Sequence, residues 1–109
     1  MKIKLAILEK DRAYLSRIVT TFGMKYSDKL ETYSFTDYNS ALSTLIDAKI
    51  DVLLASDAFD VDMNCLPKRC AFAYFVDSNG IEMLNGQRAI CKFQKVDQIY
   101  KQILSIYAE

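Results

Sequence analysis

Apolar residues are spaced in two ways along the chain. In some places they form short unbroken runs; in others they recur every third or fourth position. Residues 4–8 are a run of the first kind, closed by the charged trio Glu9-Lys10-Asp11, as in a strand buried on both faces. Leu15, Ile18, Val19 and Phe22 follow at helical spacing and share one face, with Asp11 placed to cap the helix and Gly23 to end it. Residues 30–35 are rich in aromatic and β-branched side chains and predict a second strand. Thr36 or Asp37 then caps a helix whose inward face holds Ala41, Leu42, Leu45 and Ile46. Residues 51–55, 71–76 and 88–93 predict three further strands, the last shorter and weaker. A closing helix carries Val96, Ile99, Tyr100, Ile103, Leu104 and Tyr107 on its buried side.

Strands alternating with helices imply parallel pairing through right-handed crossovers. Two connections break the alternation. Residues 56–70 hold Asp60, Asp62, Asn64 and Pro67 but no helical period. Residues 77–87 hold two turn signals, Asn79-Gly80 and Asn85-Gly86, with room for a short helix or for a strand at residues 81–84 that makes a hairpin around Asn79-Gly80. There is no internal repeat or linker, so residues 1–109 are read as a single domain.

Composition narrows the function. The chain has 14 basic and 14 acidic side chains, against the basic excess that nucleic-acid binding needs. The first apolar run is too short for an export signal or a membrane span, which argues against direct membrane insertion. Three cysteines, Cys65, Cys70 and Cys91, then fit a reduced, cytoplasmic setting. They lack zinc spacing and are read as small apolar residues. Histidine is absent, which removes the usual general base and imidazole ligand. Asp60, Asp62 and Asn64 are spaced like the start of a calcium loop, but Cys65 and Ala71 stand where glycine and glutamate are needed. No metal or cofactor is therefore expected. None of the three glycines builds a phosphate-cradling loop, and Glu9-Lys10-Asp11 disfavours a flavodoxin-type cofactor binder.

Five β/α units of this length and order resemble the receiver domain of two-component response regulators. That resemblance implies an α/β, flavodoxin-like (CheY-like) three-layer sandwich. Its five-stranded parallel sheet would have order 2-1-3-4-5, here with reduced third and fourth helices. Receivers carry an acidic cluster after the first strand, where this chain has Glu9, Lys10 and Asp11. They carry a phospho-accepting aspartate at the end of the third, where it has Ser56, with Asp57 one position late. They carry a lysine after the fifth, matched by Lys92, with Phe93 in place of the usual proline. Phosphotransfer needs a carboxylate nucleophile, a divalent metal and that lysine. Ser56 offers no carboxylate. Lys10 puts a cation beside the metal position, a repulsion of roughly a few kcal/mol at about four ångströms. A pair between Lys92 and Glu9 or Asp11 would fill an inactive pocket. The competing reading is a divergent receiver still phosphorylated at Asp57 in a phosphorelay.

A narrower resemblance rests on Ser34-Phe35-Thr36-Asp37, residues 70–78 and Lys92-Phe93-Gln94-Lys95. These stretches are similar to the atypical receiver domain at the N-terminus of TadZ/CpaE-type proteins, MinD/ParA-like ATPases of pilus assembly. The resemblance implies a non-enzymatic module that docks, dimerises and localises an attached ATPase among polar or secretion-system proteins, with an ATPase half beyond Glu109. Reduced helices should leave apolar sheet surface exposed. Self-association is expected near Phe93, Tyr100 and Lys101.

Overall fold

In a computed structural model, which describes residues 2–108, the chain forms six strands and three helices. In chain order these are β1 (Ile3–Leu8), α1 (Arg12–Lys25), β2 (Leu30–Phe35), α2 (Tyr38–Asp47), β3 (Val52–Ser56), β4 (Ala71–Val76), β5 (Met83–Leu84), β6 (Gln87–Cys91) and α3 (Val96–Tyr107). They build one sheet of order β2-β1-β3-β4-β6-β5. The first five strands in that order are all parallel, and β5 adds an antiparallel edge. This is the flavodoxin-like receiver fold, with β6 in the place of the fifth parallel strand.

Strand alternation sorts the core into two layers. Ile3, Leu5, Ile7, Val52, Leu54, Ala73, Phe75 and Ile90 face α1 and α3, where they meet Leu15, Ile18, Phe22, Ile99, Ile103 and Ile106. Ala6, Leu8, Leu53, Ala55, Phe72, Tyr74, Val76 and Ala89 face the other way, toward Ala41 and Leu45 of α2. Asp11 and Asp37 cap α1 and α2, accepting from Tyr14 N and Ser40 N. Tyr26 stacks on Tyr100 with ring centroids 3.9 Å apart, and its hydroxyl donates to Asp97, which ties α1 to α3.

Several expectations are corrected here. Gly23 does not end the first helix: α1 runs on to Lys25, and Tyr26 N–H closes it on the Phe22 carbonyl. Ile46 on α2 and Leu104 and Tyr107 on α3 are exposed, because α2 buries only Ala41 and Leu45 and α3 turns Ile106 inward instead. The hairpin lies at Asn85-Gly86 and not at Asn79-Gly80. Leu84 pairs with Gln87 across two residues at φ 51° and 80°, as a type I′ turn requires.

The two reduced crossovers differ. Residues 77–86 carry only β5, and residues 57–70 only a single 3₁₀ turn, Met63–Cys65. The second segment nonetheless lays Phe59, Val61, Met63 and Leu66 over the α2 face of the sheet. Phe72 and Tyr74 beneath it are 8% and 7% exposed. The expected bare sheet is thus corrected: an irregular segment does the covering a helix would do. What remains open is a groove beside it, lined by Phe59, Tyr74 and Leu84.

Candidate functional site

Among the described residues three polar or charged side chains are buried, Glu9, Ser56 and Lys92. All three lie at the end of the sheet toward which the parallel strands run. Strand alternation places them there. Glu9 lies two positions past Ile7, Ser56 two past Leu54 and Lys92 two past Ile90, so each continues the face that packs on α1 and α3. Asp77 does the same after Phe75.

Lys92 organises the site. Its ammonium lies 2.7 Å from Glu9 Oε1 and 2.7 Å from Asp77 Oδ1. Glu9 follows β1 and Lys92 follows β6, so the ion pair reaches across the ends of β3 and β4 between them. The rings of Tyr14 and Phe93 flank the ammonium at 5.5 and 5.8 Å from their centroids. The Tyr14 hydroxyl donates to the Lys92 carbonyl at 2.9 Å. Burial works to lower the Lys92 pKa, but the hydrogen bonds it donates to Asp77 and Glu9, with their negative charge, outweigh it and hold the pKa above the ordinary lysine value. Burial, reinforced by Glu9, also raises the Tyr14 pKa, so its phenol stays protonated.

The remaining expected residues take different places. Asp11 does not pair with Lys92; its carboxylate accepts from Tyr14 N at 3.1 Å as the α1 cap, while its own N–H donates to Glu9 Oε2 at 3.0 Å. Lys10 points away from the Lys92 cluster and lies 5.1 Å from the Phe59 ring centroid. Ser56 Oγ accepts from Ala58 N at 3.2 Å in a tight turn. Asp57 within that turn is exposed. Phe93 is 60% exposed and Lys101 is exposed, but Tyr100 is committed to its stack with Tyr26. The sequence reading gave no role to Asp77 or Tyr14. Alternation along β4 could have flagged Asp77, as the next position on the Ala73 and Phe75 face. Nothing local marked Tyr14, whose partner lies 78 residues away.

These residues do not fit the divalent metal of a phospho-accepting receiver. One Glu9 oxygen is taken by Lys92 and the other by Asp11 N–H. Ser56 supplies a hydroxyl where such a site needs a carboxylate. Lys92 already provides the positive charge the carboxylates require. Among the described residues no three His, Cys, Asp or Glu side chains are grouped to hold an ion.

Comparison with known proteins bears on the fold and the family. No curated protein sequence matches the chain. Two solved structures share its fold. The signal receiver domain of the putative response regulator NarL from Mycobacterium tuberculosis superposes with a TM-score of 0.73 at 13% identity, over 98% of this chain and 97% of that one. The N-terminal domain of the nisin resistance regulator NsrR, a lantibiotic response regulator, gives 0.70 at 15% identity, over 98% and 99%. No described helix is long and apolar enough to cross a membrane. The family described as TadZ-like, receiver domain, matches residues 1–108, and the chain belongs to that family.

Proposed function

We propose that this receiver-like domain is non-catalytic. In this reading its work is protein–protein interaction: it self-associates and helps to localise an attached MinD/ParA-like ATPase serving pilus assembly or secretion. One observation carries the non-catalytic part. The ammonium that a phospho-accepting receiver would turn toward a phosphoryl group is clasped by Glu9 and Asp77, and the adjacent strand end presents Ser56. With no histidine in the chain to activate it, that hydroxyl is a poor nucleophile. A buried, paired lysine is instead a structural plug that fixes the ends of β1, β4 and β6. The exposed Phe93 and Lys101 offer one surface for a partner.

The test is incubation with acetyl phosphate and magnesium, followed by intact mass and peptide mapping. The mass should stay unchanged. A phosphoryl adduct on Asp57 would overturn this reading in favour of a divergent phosphorelay receiver. The ATPase attachment is tested separately by the coding sequence after Glu109, where a nucleotide-binding loop is expected.

A further inference from the structure

The groove on the α2 face lies where the fourth crossover has lost its helix, between the covering segment and the β5–β6 hairpin. It measures about 350 Å³ and is lined by Asp57, Phe59, Asp60, Tyr74, Leu84 and Asn85. Tyr74 forms part of it. The residue is only 7% exposed and its ring packs edge-on against Phe72 at 4.9 Å. Its hydroxyl has no hydrogen-bond partner among the described residues, and it is not sealed from solvent. A largely buried phenol that lines a groove and keeps its hydroxyl open to solvent is free to bond a ligand donor or acceptor.

The groove's charge states what kind of ligand that is. Asp57 and Asp60 have no partner among the described residues, whereas neighbouring Asp62 is used by Asn64 N and Cys65 Sγ. Lys10 lies over the Phe59 ring and is ion-paired to neither carboxylate, so two carboxylates against one ammonium leave the groove net negative. Apolar walls with a phenol and two free carboxylates suit a lysine or arginine, whose stem packs while its head is paired.

The chain carries such a surface at its other end. Around the starts of β1, β3 and β4 lies a cleft of about 240 Å³ lined by Lys2, Lys4, Lys49, Asp51, Arg69 and Tyr107. Among the described residues Asp51 is its lone carboxylate, and both oxygens are spoken for, one by Lys4 N at 2.9 Å and the other by Arg69 at 2.6 Å. Lys4 Nζ donates to the Ala48 carbonyl. Lys2 and Lys49 remain exposed and unpaired among the described residues, with Lys49 on the left-handed corner after α2 at φ 56°. A chain with no net charge thus separates an acidic groove from a basic end.

We propose that the acidic groove receives the basic end of a second copy, so that copies associate head to tail. The contact joins two different surfaces of one chain, which makes it heterologous and able to propagate. It deepens the reading of the domain as a self-associating module and rests on it.

Two variants reverse one surface each while sparing the Lys92 cluster and the Asp51–Arg69 pair. Asp57→Lys with Asp60→Lys makes both surfaces basic; Lys2→Glu with Lys49→Glu makes both acidic. Sedimentation velocity over a concentration series should show wild type associating and each variant alone weakened more than about tenfold. An equimolar mixture of the two should regain association. Tyr74→Phe, which keeps the packing, should weaken wild-type association roughly fivefold, the worth of one hydrogen bond. A mixture that stays monomeric while wild type associates overturns the head-to-tail contact and leaves self-association standing. A wild-type chain that remains monomeric throughout overturns both.

Discussion

At the residue scale the buried Lys92 is the most consequential feature. Removing one partner of a buried ion pair leaves the other charged and unsolvated, so Lys92→Met should cost about 3 kcal/mol in urea unfolding. Most of that should return in the double variant Glu9→Gln/Lys92→Met, because the cost lies in the stranded Glu9. The pair also sets a pH dependence. The folded Lys92 pKa lies above its ordinary 10.5, so its contribution is complete below that value and is lost as pH rises through the folded pKa. Tyr14, raised above 10.0, acts in the same direction. Stability should therefore fall on the alkaline side from about pH 10, and Lys92→Met should flatten that fall. A decline as steep in the variant as in wild type would show that other groups drive it. Asp11 belongs to a different account. As a helix cap, Asp11→Ala should cost about 1 kcal/mol of stability and leave the alkaline profile of Lys92 unchanged.

At the scale of elements, two glycines that look alike in sequence have opposite roles. Gly23 sits inside α1 on an exposed face, and a Cβ there would meet nothing within 4 Å. Gly23→Ala should stabilise the chain by about 0.5–1 kcal/mol through helix propensity and a less free unfolded chain. Gly86 also has open space, yet its φ of +80° strains any residue with a Cβ. Gly86→Ala should cost about 1 kcal/mol and loosen the β5–β6 hairpin, seen as faster amide exchange at Ala89, whose N–H donates across it to the Glu82 carbonyl. The sign of each change, read by thermal or urea unfolding, separates helix interior from turn. Element positions were legible from periodicity, since β2 and β4 match the expected bounds. Helix faces were less so. Ile46 and Leu104 satisfy the helical spacing of a buried face, but α2 and α3 are each packed on one narrow stripe, and the residues at its margin face water.

At the scale of the whole molecule, the segment at residues 57–70 stands in for a helix. Val61 is 7% exposed and packs in the α2-side core without any helical period to announce it. Val61→Ala should therefore destabilise the chain by roughly 1.5 kcal/mol, a core-sized effect from a residue in an irregular loop. A loss no larger than that of an exposed loop position would mean that the segment does not seal the sheet. The candidate site depends on the same level of organisation. It draws Glu9 with Tyr14, Asp77 and Lys92 from three separate stretches of chain, brought together because parallel strands end on one side of the sheet.

The sequence by itself determined the alternation of strands and helices, the parallel sheet, the loss of two crossover helices and the absence of a carboxylate at Ser56. These follow from local periodicity and from residue identity, which need no knowledge of what lies opposite. Only the tertiary structure decided that Lys92 pairs with Glu9 and Asp77 and not with Asp11, and that Lys10 turns to Phe59. It also showed that residues 57–70 cover part of the α2 face of the sheet, beside a groove that stays open. Each of those outcomes depends on which charged or apolar groups meet across strands far apart in the chain, and side-chain pairing over that distance has no period for a sequence to display.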